Sequence, residues 1–476
     1  MVGQTIDRTI ETLDDTLDGL REALFQPTLR LGVTGLSRAG KTVFITALVA
    51  NLLERGRMGR LAAQAEGRIE AVALRPQPDR GVPRFEYESH RNALSGLDPH
   101  WPTSTRSVAQ LRLSIRYRPK GLRAMFGGAA MLHLDIVDYP GEWLLDLPLI
   151  DLDFESWSER SLTEARSPLR APYSTRWLGM MAGLDPDATI DEAQAQALSQ
   201  AFTQYLLACR KAGLSGLAPG RFLLPGEMDG SPALTFAPLP PGRRRRGSMR
   251  AEFAKRYEAY RRLVVRPFFR DHFAKLDRQI VLVDLLHALD NGPGAVADLR
   301  AAMIDILSAF RPGRASWLGK LLGAKRIDRI LFAATKADHI HHTQHPRMAA
   351  ILKALLRESV DAASFRGAKV DALSIASLRS TVEQDIRRNG EVIPCVRGRL
   401  LKTGRDAALN PGDLPEDPST VLAEARLDAP RETGWLGGDF QVMGFLPPNA
   451  GGRPGEGPPH LRLDQALEFL MGDKLA

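Results

Sequence analysis

The 476-residue sequence predicts an α/β fold, with a mostly parallel sheet and helices on both faces. A helical insertion interrupts it and an α+β C-terminal extension follows. Three observations carry this. Short apolar strands alternate with helical stretches from residue 28 and again from residue 278. A glycine-rich turn joins the first strand to the first helix. Between about 144 and 277 helical periodicity stands alone.

The elements follow in order. Residues 1–27 read as one N-terminal amphipathic helix, with Ile6, Ile10, Leu13, Leu17, Leu20 and Leu24 on one face. Its acidic other face makes it a packing helix rather than a membrane anchor. "TLRLGVTG" (28–35) is a strand and "KTVFITALVANLLERG" (41–56) a helix, whereas 57–106 read as irregular. The segments 110–119 and 130–143 form two strands of a hairpin, completing the first part of a split domain at 28–143. The insertion covers 144–277. Strand signals at 278–289, 326–338 and 368–377 alternate with helices and form the second part, 278–385. A Pro/Gly-rich extension with short strand signals and a last helix covers 386–476.

Composition sets bounds on function. A net charge of +8 favours an acidic partner, either nucleotide phosphate or an anionic surface, and gives no specific signal for nucleic acid. The two cysteines, Cys209 and Cys395, lie far apart, which argues against a disulfide framework or zinc cluster and for a reducing cytoplasm. No signal-peptide pattern and no apolar run of spanning length is present. Peripheral association with the inner membrane stays open.

The chemistry is carried by four stretches. "GLSRAGKT", Gly35 to Thr42, satisfies G-x-x-x-x-G-K-[ST] between a strand and a helix. The backbone amides of Gly35, Ser37, Arg38, Ala39, Gly40, Lys41, Thr42 and Val43 and the helix N-terminus form an anion site. Lys41 reaches the β- and γ-phosphates and the Thr42 hydroxyl ligates Mg²⁺. This places the chain among P-loop NTPases. In "DIVDYPGEW", Asp138 would hold the Mg²⁺-bound water and the Gly141 amide would sense the γ-phosphate. "FAATKADHI" supplies Thr335, Lys336 and Asp338, an approximation to the guanine-reading [N/T]-K-x-D. A carboxylate at Asp338 accepts from N1–H and the 2-amino group, a pair adenine lacks. The Ala376 amide in "LSIAS" is the candidate for guanine O6. In "HWPTSTRSV", Thr105 is the switch hydroxyl for Mg²⁺ and γ-phosphate, with Thr103 and Ser104 as alternatives.

Taken together, "GLSRAGKT", "WPTST", "DYPGEW" and "FAATKADHI" resemble the YcjX-like family of bacterial P-loop proteins. The resemblance implies a Ras-like G domain with helical additions, binding of GTP and GDP, and a stress-associated cytoplasmic or membrane-peripheral protein. Catalysis departs from the common Ras-like pattern, because Glu142 stands where Gln follows D-x-x-G, and its charge opposes the γ-phosphate. Slow or partner-stimulated hydrolysis is expected, with Glu142 either a water acceptor or a turn residue. Arg38 occupies the position of an arginine in the phosphate loops of guanylate-binding proteins, which the segment resembles. There the arginine acts when two G domains meet, so a G-domain dimer or another protein partner is open; a solvent-facing arginine is the alternative. An ATPase on the same loop, and a nucleotide-binding scaffold with little turnover, are the competing functions. Arg243–Arg246 read as a solvated run, "SWLGKLLGAK" (316–325) as packing next to a strand, and the histidines of 339–345 as surface residues without acidic partners.

Overall fold

A computed structural model describes residues 27–36, 38–103, 107–121, 128–309, 327–364, 368–426, 435–437, 440–448 and 455–476. The expected N-terminal helix, Ser37, Ser104, Thr105 and the 316–325 segment lie outside the described residues.

Seven strands form one sheet: β1 (Thr28–Gly35), β2 (Ile69–Arg75), β3 (Ala109–Tyr117), β4 (Ala130–Asp138), β5 (Arg278–Val283), β6 (Arg329–Ala334) and β7 (Lys369–Ser374). Their order is β2-β3-β4-β1-β5-β6-β7. The pairs from β4 through β7 are parallel, and β2-β3-β4 run antiparallel at one side. The register sets Val33 opposite Asp138, and Ala334 opposite both Val283 and Ser374. The C-terminal ends of β1, β4, β5, β6 and β7 therefore open on one edge, where open α/β sheets bind ligands. Strand β2 and the helix Tyr87–Ser95 fall in the stretch that reads as irregular. Most side chains of β2 are exposed or half-buried, so this edge strand lacks a clean apolar alternation.

Alternation in β5 explains how both faces are covered. Ile280 and Leu282 join the core beneath helix α1 (Lys41–Glu54) and helix α2 (Leu463–Met471), whereas Val281 and Val283 join the core on the opposite face. The C-terminal helix buries Leu463, Ala466, Leu467, Leu470 and Met471 against the sheet. Arg278, fully buried in β5, donates to the Leu470 carbonyl at 3.1 Å. The opposite core continues without a break into the insertion. There Trp157 stacks on Tyr257 at 4.9 Å, and Trp177 on Tyr205 at 5.2 Å.

A smaller antiparallel sheet follows: β8 (Val382–Arg388), β9 (Glu391–Arg399) and β10 (Asp406–Leu409). Arg243–Arg246 are exposed, and Arg244 pairs with Glu155. Both cysteines are free and buried, and burial pushes the Cys209 thiol up to about 12. Among the described residues no helix is long and apolar enough to cross a membrane.

Candidate functional site

The turn after β1 is built by backbone conformation. Gly40 caps α1 at φ 77°, and no acidic residue occupies the helix's first turn. Its exposed N–H groups are left for an anion. Arg38 also holds positive φ, 64°. The D-x-x-G turn comes so close that a Cβ on Gly141 would overlap the Gly35 carbonyl oxygen, so only glycine is accommodated there.

Gly35, Arg38, Ala39, Gly40, Lys41, Thr42, Val43, Gly141, Glu142, Thr335, Lys336, Asp338 and Ala376 all line one cavity of about 420 Å³. Lys41 forms an ion pair with Asp138 Oδ1, and Asp138 is 1% exposed. The other carboxylate oxygen, Oδ2, is buried without a hydrogen-bond partner in the described structure. A buried carboxylate with an unsatisfied oxygen, paired with Lys41 just before Thr42 in the chain, suits the outer shell of a hard divalent cation such as Mg²⁺.

At the other end of the cavity, the Thr335 amide donates to the Val283 carbonyl at 2.9 Å, which fixes the strand exit. Lys336 adopts φ 62° and pairs with Asp284. Asp338 is 4% exposed, and its Oδ2 accepts from both the amide and the hydroxyl of Ser380 at 2.7 Å. Ser380 thus locks the carboxylate plane. The Ala376 amide already has a partner. It donates to the Leu461 carbonyl at 3.1 Å, and Leu461 returns a bond of 2.8 Å. That N–H joins the C-terminal segment in this structure, while Ala376 itself lines the cavity. Ser377 and Leu378 line the cavity beside it.

Several lining residues carry no local motif. Trp101 donates to the Phe445 carbonyl at 2.7 Å, and Phe445 packs edge-on to His339 at 5.0 Å. This bond joins the segment ending at Thr103 to the C-terminal extension. Arg210 comes from helix α3 (Glu192–Lys211) of the insertion and bonds Glu142 at 2.8 Å. Arg38 donates to the Lys211 carbonyl at 3.3 Å, an arrangement favoured at a helix C-terminus. Only the tryptophan in "HWPTST" offered a signal; Arg210 and Ser380 arrive through tertiary contact.

The segment after D-x-x-G, Gly141–Ile150, is built into the insertion. The Trp143 indole donates to the Leu224 carbonyl at 3.1 Å, and Arg221 lies 3.2 Å over its ring. Asp146 accepts from the Gly220 amide at 2.6 Å and from the Tyr260 hydroxyl at 2.5 Å. Burial pushes the Asp146 carboxyl up to about 6, with the Tyr260 hydrogen bond opposing the rise. The folded state therefore holds this proton more tightly than the unfolded chain. That contribution is complete below about pH 4 and is lost as pH rises through about 6, a change of about 3 kcal/mol. Tyr260→Phe deletes a bond worth more to the charged acceptor than to the neutral one. Urea unfolding should show the variant's deficit growing by about 1 kcal/mol between pH about 5 and about 8. A deficit independent of pH would contradict this.

The histidines also depart from expectation: His339, His341 and His345 are buried, and β8 brings Glu383 against His342.

A strand, a glycine turn and a helix, with Asp138 on the neighbouring strand end, define an α/β protein of the P-loop NTPase fold class. The chain belongs to the YcjX-like family, DUF463, whose model matches residues 29–475. It is similar to "Ras-like GTPase YcjX" of Escherichia coli (strain K12), 41% identical over 461 residues, covering 94% of this chain and 96% of that protein. It is likewise similar to "Ras-like GTPase YcjX" of Shewanella oneidensis, 38% identical over 475 residues and 94% of each chain.

Proposed function

We propose that this protein binds Mg²⁺ with GTP or GDP and hydrolyses GTP slowly, acting as a molecular switch whose readout passes through the insertion. The observation that carries the reading is the single cavity lined by both the phosphate loop and Asp338, whose carboxylate is held in place by Ser380. The name "Ras-like GTPase YcjX" borne by the two relatives agrees with it.

In this reading Lys41 and the amides from Gly35 to Val43 bind the phosphates, Thr42 and Asp138 hold Mg²⁺, and Thr105 adds a hydroxyl when triphosphate is bound. Mg²⁺ would neutralise charge developing between the β- and γ-phosphates. Lys336 covers the purine and Thr335 holds the loop, while Asp338 accepts from the guanine edge. Glu142 does not face the phosphates as a bare charge, because Arg210 neutralises it. Arg210 is then the group best placed to turn to the γ-phosphate from within the same chain, and Arg38, bonded to the next residue's carbonyl, positions it. Loss of the γ-phosphate would release Gly141, and the 141–150 segment would transmit that change to the insertion core.

A scaffold with little turnover is the second reading, favoured by a carboxylate at position 142. Single-turnover hydrolysis of GTP by the whole protein separates them. Phosphate release at about 10⁻⁴ to 10⁻² per second is expected of an unassisted switch. Tight binding with no release supports the scaffold. A partner protein or anionic membrane contact, and a role in stress at the cytoplasmic membrane face, remain proposals of this reading.

A further inference from the structure

Outside the nucleotide cavity, two histidines and two carboxylates from distant segments face one another. His341 and His342 follow Asp338 closely in the chain, whereas Glu383 and Asp385 stand at alternate positions of β8 and so project from the same face. The His342 amide donates to Glu383 Oε1 at 3.1 Å, and the ring Nδ1 lies 2.8 Å from Glu383 Oε2. His341 Nε2 points at Glu383 Oε2, 3.8 Å away, and at Asp385 Oδ1, 4.0 Å away. Ligand atoms of His341, His342 and Glu383 all lie within 4.8 Å of one another.

The spacing is informative. Distances of 3.8 and 4.0 Å are too long for hydrogen bonds. Ligands of a tetrahedral ion with bonds of about 2.0–2.2 Å are separated by about 3.3–3.6 Å, between the short and long distances seen here. The His341 ring is set from behind: its Nδ1 lies 3.0 Å from the Thr343 hydroxyl, which leaves Nε2 directed at the carboxylates. Such an outer partner is the usual means of orienting a metal-binding imidazole. Two carboxylates and two imidazole nitrogens supply a donor set whose negative charge a dication balances. Nitrogen and oxygen donors together favour zinc over magnesium or calcium, which prefer oxygen alone.

We propose that His341, His342 and Glu383, with the exposed Asp385 on the same face of β8 turning in as a fourth donor, form a binding site for a divalent transition-metal cation of the zinc type. The ion fastens the loop following Asp338 to the three-stranded sheet of the C-terminal extension. Neither end of this clasp belongs to the phosphate site, so the proposal stands apart from the identity of the nucleotide.

The test uses the full-length protein stripped of metal and without nucleotide. Zn²⁺ alone is titrated against a chromophoric chelator, and Co²⁺ is titrated with its visible spectrum recorded. Wild type should take up one ion per chain, and bound Co²⁺ should show tetrahedral bands without a thiolate charge-transfer band. His341→Ala and Glu383→Gln should each weaken Zn²⁺ by about tenfold or more. His342→Ala, at an exposed position, guards against loss of fold and should weaken binding to a similar degree. Wild type that takes up no zinc, or variants that bind it as tightly as wild type, would overturn the site and leave an ordinary histidine–carboxylate ion pair.

Discussion

Asp338→Ala should lower the affinity for GDP at least about a hundredfold while leaving the affinity for ADP nearly unchanged. Two hydrogen bonds to a charged acceptor account for about 3 kcal/mol or more, and adenine never made them. The phosphate contacts of the Gly35–Val43 loop remain, so residual binding loses its base preference rather than vanishing. Asp338→Asn sharpens the experiment. The amide presents a donor where guanine also presents one, and xanthine, with a carbonyl at that position, should become the preferred base. Ser380→Ala, which leaves Asp338 in place but removes one of its two bonds, should cost about tenfold. Isothermal titration with GDP, ADP and XDP measures all three. Equal loss of GDP and ADP binding in Asp338→Ala would remove the guanine assignment.

Arg210→Ala should slow single-turnover GTP hydrolysis by about a thousandfold, the scale of an arginine that meets the transferring phosphoryl group. Affinity for GDP should change by less than about threefold. The complex of GDP with aluminium fluoride, a mimic of the transferred group, should lose stability in parallel with the rate. Deleting Arg210 also leaves Glu142, 8% exposed, without its counter-ion, which by itself costs stability. The double variant Glu142→Gln/Arg210→Ala removes that orphaned charge. If the double variant regains the wild-type rate, Arg210 serves only to neutralise Glu142. If it stays slow, the guanidinium acts on the phosphate. Arg210→Lys should recover little, because the ammonium lacks the planar fork.

The parts of this molecule that could be read in advance are those whose chemistry is contiguous. The phosphate loop needs a strand, a glycine turn and a helix in immediate succession, and all three lie within residues 28–54. Asp138 and the Thr335–Asp338 run end strands, where the sheet itself aims them at the same edge. The edge strand Ile69–Arg75 could not be read, because solvent covers much of it and the apolar period is lost. Arg210 gave no sign either: it closes a helix whose periodicity reports its buried face and says nothing of what its end touches. The bond between the Ala376 amide and Leu461 was illegible for a similar reason, since Leu461 comes from the far end of the chain. Surface placement held for His342 and failed for His339, His341 and His345; Phe445, which packs on His339, and β8, which brings Glu383 to His341, are distant in sequence.

In the proposed reading, nucleotide state would be coupled to the insertion through the same contacts. Glu142, Trp143 and Asp146 are consecutive parts of one short segment, and each is held by a different residue of the insertion. A shift at Gly141 would press on Trp143, Leu144 and Leu145, which belong to the continuous core on that side.

The most direct measurement is the ratio of equilibrium affinities of wild-type protein for GDP and ADP with Mg²⁺ present. A preference for GDP of about a hundredfold or more, lost in Asp338→Ala, is the predicted result. Equal affinities in the wild type would contradict the assignment of Asp338 to the base and leave a phosphate loop without guanine specificity.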